Sequence, residues 1–301
     1  MPTATTALTT LSGTIYPQTF MEAFLADLQP LSSFTRDFTP DAAQRGNVVK
    51  IPFVDSATDA IQFGTAGYEI QANAAEGLDL TINRHFYVSF DLSDRQLLEN
   101  PQLSVEMFVA QKAHQLAKKV VTDVLSIVTQ ANFGSAVFTG AASTFDSDDV
   151  VDIKAALDLL NMPKNMRSLV LDSAYSNALL KDSEIKPEYS YGSTQPIVQG
   201  QVPRLMGFDM FESTIIPGNS ENLTGFAAYP DAAAVAMRYH APQDGHDYAV
   251  AEPFTDPQGS GVTIGYRAYY DNKLAKMIHI MDALYGFRVI NGNSLRRIIS
   301  A

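Results

Sequence analysis

The sequence predicts an α+β protein built from an extended hairpin, a long helix and a closing α/β region, and three observations carry that reading. From Leu78 to Leu92 the chain alternates, with Leu78, Leu80, Ile82, Phe86, Val88, Phe90 and Leu92 on one side and Asp79, Thr81, Asn83, His85, Ser89 and Asp91 on the other, the period of a strand. From Pro101 to Asn132 apolar residues step by three and four, the period of a helix. From Asp146 onward the texture becomes one of short elements, helix and strand by turns.

Residues 1–14 are rich in Thr and Ala, carry no pattern that packs a core, and read as a flexible arm. Tyr16–Leu28 sets Phe20, Phe24 and Leu28 four apart, a short amphipathic helix ended by Pro30. Val48–Phe53 reads as a strand, and Ser56–Gly77, rich in Ala, Gly, Asn and Asp, as the loose tip of a hairpin whose second arm is Leu78–Leu92. Only Arg84 and Tyr87 break that arm's pattern. At about 3.3 Å per residue it reaches roughly 50 Å. A compact chain of this length has a radius of gyration near ~19 Å, so the hairpin is expected to leave the globule and to lie on a neighbour.

Asn100 as cap and Pro101 in the first turn are expected to open a helix that runs to about Asn132, roughly 45 Å long. Val105, Val109, Ala113, Leu116, Val120, Val124, Ile127 and Ala131 form its apolar stripe, and Lys112, Gln115, Lys118, Lys119 and Thr122 its wetter side. Asp146, Ser147, Asp148 and Asp149 then open a helix carrying Val150, Ile153, Leu157 and Leu160, where acidic groups cap free amides and suit the dipole. Ser168–Leu171 reads as a buried strand, Ala174–Leu180 as a short helix, and Glu184–Val198 as a loop. Gly207–Ser213 and Gly225–Ala228 read as strands, Pro230–Tyr239 as either a helix or a strand pair, and His240–Gly261 as a second long loop. Val262–Asp271 and Lys276–Met281 read as strands before a last piece, Phe287–Ile299.

The chain has 301 residues, 46% apolar and 18% charged, which is the profile of a folded protein. No apolar run approaches a membrane span, and the first residues lack the basic start and apolar core of a signal peptide, so a soluble protein made in the cytoplasm is expected. The absence of cysteine excludes disulfides, thiolate nucleophiles and cysteine-ligated metal sites. A net charge of -12 argues against general affinity for polyphosphate, though a weakly repelling wall around DNA is compatible with it.

The chain contains no nucleophile elbow, phosphate-binding glycine loop or zinc helix. Gly259, Gly261 and Gly265 miss the spacing of a dinucleotide fingerprint and read as turn residues. His240, His246 and Asp247 can chelate a metal on paper, but their place beside Pro242 and Gly245 reads as a solvated loop, while His85, His114 and His279 are isolated and read as structural. Asp146, Asp148, Asp149 and Asp152 are explained by helix capping without acid–base work. No catalytic residue, cofactor site or metal site is expected.

The order of elements resembles the major capsid proteins of tailed bacteriophages, the Hong Kong 97-type shell fold. Local phrases carry the same resemblance: VVKIPF, the Ile-Gln-Phe-Gly segment and LTINRHFYVSFDLSDRQLLENPQL for the extended loop leading into the spine helix, and MPKNMRSLVLDSAYSNALLKD for the axial strand and helix. GQVPRLMGFDMFES, GFAAYPDAAAVAMRY and DALYGFRV resemble the segments that finish and rejoin the axial sheet. The resemblance implies an N-terminal arm over 1–47 and an extended hairpin loop over 48–94. It implies a peripheral domain over 95–145 and 256–284 with the spine helix 101–132, and an axial domain over 146–255 and 285–301. It further implies a non-enzymatic, structural virion protein, assembled in the host cytoplasm as hexamers and pentamers into an icosahedral shell around double-stranded DNA. On that reading Ile61, Phe63, Tyr68, Ile70, Leu78 and Leu80 of the extended loop touch a neighbouring subunit, and Val109, Leu116, Val120, Val124 and Ile127 form the spine helix core. Some members carry a long removable scaffolding region. Only residues 1–47 precede the hairpin here, so either a separate scaffolding protein or a sequence that begins after cleavage is expected, Met1 favouring the former, with a portal as a further partner and a decoration protein left open.

Three rival readings follow from the same residues. An encapsulin-type nanocompartment shell shares the fold and differs in holding a cargo enzyme. A cytosolic α/β enzyme lacks a nucleophile or phosphate motif and leaves the hairpin without a purpose. A tail or fibre component is disfavoured by the long helix.

Overall fold

The computed structural model describes residues 20–21, 23–25, 28–37, 39, 48–54, 75–100, 105–182, 204–243, 245, 247–255 and 262–301. Two six-stranded sheets and a two-stranded ribbon make up the β structure of these residues.

The first sheet is organised around one long strand. It contains β1 (Thr35–Asp37), β4 (Arg84–Ser93), β10 (Ala233–Arg238), β11 (Val250–Thr255), β12 (Thr263–Asp271) and β13 (Lys276–Val289) in the order β1-β10-β13-β12-β11, with β4 also on β13. The first part of β13 pairs antiparallel with both β12 and β4, and its last part, from Leu284, pairs with β10. The ribbon is β2 (Val48–Val54) against β3 (Ala75–Thr81). The second sheet runs β5-β14-β9-β6-β8-β7, from Phe138–Thr139, Leu295–Ile299, Leu223–Ala228, Ser168–Leu171, Phe208–Glu212 and Arg204–Leu205.

Helix α1 (Asp94–Glu99) is opened by a reciprocal cap: the Ser93 hydroxyl accepts from the Gln96 amide and the Gln96 side chain accepts from Ser93 N–H. Asn100, the expected N-cap of the spine helix, is instead the C-cap of α1, and residues 101–104 lie outside the described residues. The spine helix is α2, Val105–Leu125, shorter than the expected 101–132. Its far end has a physical cause. The Asn219 amide donates to the carbonyls of Leu125 and Val128, both at 2.9 Å, taking the acceptors that a continuing helix would use. A separate turn of helix follows at Gln130–Phe133, and Ala131, placed on the stripe by its spacing, is exposed.

Along α2 the stripe packs as its period demands. Val109, Ala113, Leu116, Val120 and Val124 are fully buried in a core shared with β4, β10, β12 and β13, and Ile127 packs half-buried just beyond the helix. Phe90 of β4 stacks on Phe108 with ring centroids 5.7 Å apart. Part of the expected N-terminal arm belongs to this core: Phe20, Met21, Phe24, Leu28, Leu31 and Phe34 are buried, and β1 pairs in parallel with β10. Apolar spacing of four over Phe20–Leu28 is a packing signal, so the described residues between Phe20 and Asp37 are an integral part of the body.

A second core joins α3 (Ser147–Leu159) and α4 (Ser173–Lys181) to the second sheet through Val150, Ile153, Leu157, Leu169, Leu171, Tyr175 and Leu179. Asp146 caps α3, accepting from the amides of Asp148 and Asp149 while Asp149 Oδ2 accepts from Asp146 N–H. Pro230–Tyr239 resolves into the strand β10. Within the expected loop His240–Gly261 lies β11, which pairs along its whole length with β12. β10 and β11 fall inside the expected axial span 146–255, yet both are strands of the first sheet.

Candidate subunit-contact site

The expected single arm Leu78–Leu92 is two strands with different partners. β3 pairs with β2 and β4 with β13, separated by Ile82 and Asn83. The alternation survives the break because both strands keep the same parity, so β4 buries Phe90 and Leu92 and exposes His85, Tyr87, Ser89 and Asp91.

The base of the ribbon is seated on the first sheet. Val49 and Ile51 of β2, with Leu80 and Ile82, bury against Ala234 and Ala236 of β10, and Leu78, Leu284 and Ile290 pack around them. Where the chain leaves β3 it crosses β13 at Gly286. A Cβ there would meet the Thr81 carbonyl oxygen and lie 2.8 Å from the Thr81 carbonyl carbon and 2.9 Å from Ile82 Cα, so only glycine allows the crossing. Arg288 Nη1 donates to the Asp79 carbonyl at 2.6 Å and pins the ribbon a second time.

Of the residues expected to touch a neighbour, Leu80 is fully buried inside its own chain and has no surface to offer, because its strand face is the one that seats the ribbon. Leu78 is half-buried beside it. Ile61, Phe63, Tyr68 and Ile70 fall in 55–74, outside the described residues. The outward face of the ribbon base carries Val48, Lys50, Asp79 and Thr81.

One polar cluster has the residue types of a chemical site. His85 Nε2 lies 2.8 Å from Asp282 Oδ2, the rings of His85 and His240 are 5.6 Å apart, and the ligand atoms of His85, His240 and Asp282 lie within 4.8 Å of one another. Arg267 stands among them: its Nη2 is 3.2 Å from His240 Nδ1 and 3.5 Å from Asp282 Oδ2, and it donates to the His240 carbonyl. The guanidinium thus contacts two of these three ligands. The arrangement is an ion-pair network tying β4, the loop after β10, β12 and β13 together around a buried carboxylate. Periodicity had no means of grouping residues 85, 240, 267 and 282, and the spacing that grouped His240 with His246 and Asp247 pointed elsewhere. Asp247 is exposed, and His246 lies outside the described residues.

The remaining polar candidates serve structure. Burial pushes the Asp149 carboxyl up, with the Asp146, Asp152 and Asp148 carboxylates adding to it and the hydrogen bond from Asp146 N–H opposing it. That carboxylate is nevertheless spent on the helix cap. Burial pushes the His279 pKa down, and its Nδ1 shares a 2.8 Å hydrogen bond with the Tyr266 hydroxyl while the ring stacks on Phe90 at 4.9 Å.

No protein-family model and no curated protein sequence matches this chain. Solved structures do. A structure of Mycobacterium phage Che8 aligns over 88% of this chain and 89% of its own, at 19% identity and a TM-score of 0.63. The capsid structure of the cyanophage P-SCSP1u aligns over 90% of this chain and 87% of its own, at 13% identity and 0.64. The asymmetric unit of the bacteriophage PhiM1 mature capsid aligns over 90% and 86%, at 14% identity and 0.60. This chain has the fold of bacteriophage capsid structures, which is the resemblance its sequence carries.

Proposed function

We propose that this protein is the major capsid protein of a tailed bacteriophage, a structural protein of the Hong Kong 97 type that assembles as hexamers and pentamers into an icosahedral shell around double-stranded DNA. The observation that carries the reading is a whole-chain likeness to phage capsid structures, spanning about nine-tenths of both partners. In this reading the first sheet with α2 is the peripheral unit, and the second sheet with α3 and α4 is the axial unit. The β2–β3 ribbon is rigidly seated at its base, and its distal segment 55–74 lies across a neighbouring copy, with Ile61, Phe63, Tyr68 and Ile70, and Leu78 at its root, supplying apolar contact. A separate scaffolding protein and a portal complete the assembly, which forms in the host cytoplasm.

The test replaces residues 55–74 by a short Gly/Ser turn in the full-length chain co-expressed with its neighbouring genes. Electron microscopy of the unaltered chain should show closed particles. The shortened chain should keep its circular dichroism and cooperative melt yet form none, because the loss falls on association. A chain that stays monomeric under every such condition, or normal particles from the shortened one, counts against the reading.

A further inference from the structure

The net charge of -12 is not spread evenly over the molecule. Most of the arginines placed in ion pairs are spent inside the fold or on its rim: Arg84 on Asp123, Arg167 on Asp158, Arg204 on Asp209, Arg267 on Asp282 and Arg297 on Glu221. Helix α2 is different. From Met107 to Thr122 it carries no acidic residue and three lysines. The buried stripe uses one side of the helix, and at 100° per residue the other side is an arc bounded by Lys112 and Lys118 with Gln111, Thr122, Gln115, Phe108 and Lys119 between them. Gln111, Gln115, Lys118 and Lys119 are exposed and Lys112 is half-buried. Among the described residues neither Lys112 nor Lys118 has a carboxylate partner, while Lys119 Nζ sits 4.9 Å over the Phe86 ring. Asp123, the first acid further along, is engaged by the Tyr285 hydroxyl at 2.9 Å and by Arg84 at 3.8 Å.

We propose that this outward arc of α2 is the surface through which the shell touches the phosphate backbone of double-stranded DNA, without regard to base sequence. The inference rests on the proposed shell function and names the face that meets the genome. Two features favour a duplex over an acidic protein as partner. The arc offers cations and amides, its one aromatic, Phe108, is half-buried and stacked on Phe90, and none of the exposed aromatic or large aliphatic side chains that anchor protein interfaces lies in it. Lys112 and Lys119 stand about 10 Å apart along a straight helix, a spaced row that suits a repeating polyanion. The acidic remainder of the molecule limits that contact to a weak, salt-sensitive one, as packaging of a mobile polymer requires.

The probe is a fluorescein-labelled 30-base-pair duplex of mixed sequence, titrated by the full-length chain over a salt series. Lys112→Gln/Lys118→Gln is compared with Lys164→Gln/Lys273→Gln, which removes the same charge from exposed positions elsewhere. Each lost phosphate contact lowers the slope of log K against log salt by about 0.9, so the α2 double variant should lose about 1.8 and the control nothing. If the half-buried Lys112 position proves intolerant, Lys118→Gln alone should lose about 0.9. Equal slopes for all chains, an equal loss in the control, or no binding by the unaltered chain at low salt overturns the inference. So does a polyglutamate of matched charge that binds as tightly as the duplex, which would point to an acidic protein. Particle formation by the α2 variant, scored separately by microscopy, keeps failure of this inference distinct from failure of the shell reading.

Discussion

Gly286→Ala isolates the crossing of ribbon and sheet in a single methyl group. A glycine inside a strand is about 0.5–1 kcal/mol less favourable than alanine, so an unhindered site would gain stability from this change. At 286 the added carbon would lie 2.8 Å from the Thr81 carbonyl carbon and 2.9 Å from Ile82 Cα, whereas carbon–carbon contacts relax near ~3.5–4.0 Å, so the ribbon must lift by roughly 1 Å. Both neighbours are backbone and cannot rotate away. Overpacking of this kind costs about 1–3 kcal/mol, and the lift also loosens Leu80 and Ile82 on Ala234 and Ala236. The net expectation is a loss of about 1–2 kcal/mol, read as a urea midpoint lowered by roughly 0.5 M for a slope near ~3 kcal/mol/M. Hydrogen exchange should show β2 and β3 losing protection first, with α3 and α4 unaffected. Gly77→Ala is the control, since a Cβ there meets nothing within 4 Å. A midpoint for Gly286→Ala that is unchanged or raised would refute the claim that this glycine exists for the crossing. Protection lost evenly over the whole chain would refute the claim that its effect is local to the ribbon.

Two further outcomes are expected of the body itself. Val120→Asp places an unpaired carboxylate at a fully buried position and should cost on the order of 3–5 kcal/mol, abolishing soluble expression, whereas Lys119→Ala should lose only the contact with Phe86, about 0.5–1 kcal/mol in a denaturant melt. Burial holds the His279 pKa below its ordinary 6.5, so the unfolded chain binds the extra proton: stability should be full above that value and fall as pH drops through it toward the lower folded pKa, and His279→Gln should flatten this acid limb.

What was legible in the sequence follows from which forces leave a periodic trace. The stripe of α2 and the alternation of β4 each bury one face of the element, and the buried residues repeat with that element's own period. The far end of α2 was not legible. The apolar spacing continues through Ile127 and Ala131, while the helix is stopped by a side chain from Asn219, far along the chain. β11 read as loop because it contains Pro253, and a proline is admissible there only because β11 is the edge of its sheet, where one row of amides needs no partner. The join of β3 and β4 was hidden for the opposite reason, since two strands of equal parity mimic one.

The seat of the ribbon shows why the candidate contact site was the hardest part to read. The run Ala232-Ala233-Ala234-Val235-Ala236 has the composition of a helix, and its propensity favours one. It is nevertheless a strand buried on both faces, with Ala233, Val235 and Met237 toward the α2 core and Ala234 and Ala236 toward Ile51 and Leu80. Alanine is tolerated there because the ribbon must come down close to the sheet, and Gly286 extends the same requirement to the neighbouring strand, where it pairs with Ala236. The trace of a docked ribbon is therefore missing bulk: small residues at paired positions on two strands separated by about fifty residues. Periodicity within one segment cannot register that, and the residues pressed onto this track, Leu80 foremost, read from the sequence as surface seeking a neighbour when their neighbour is their own chain.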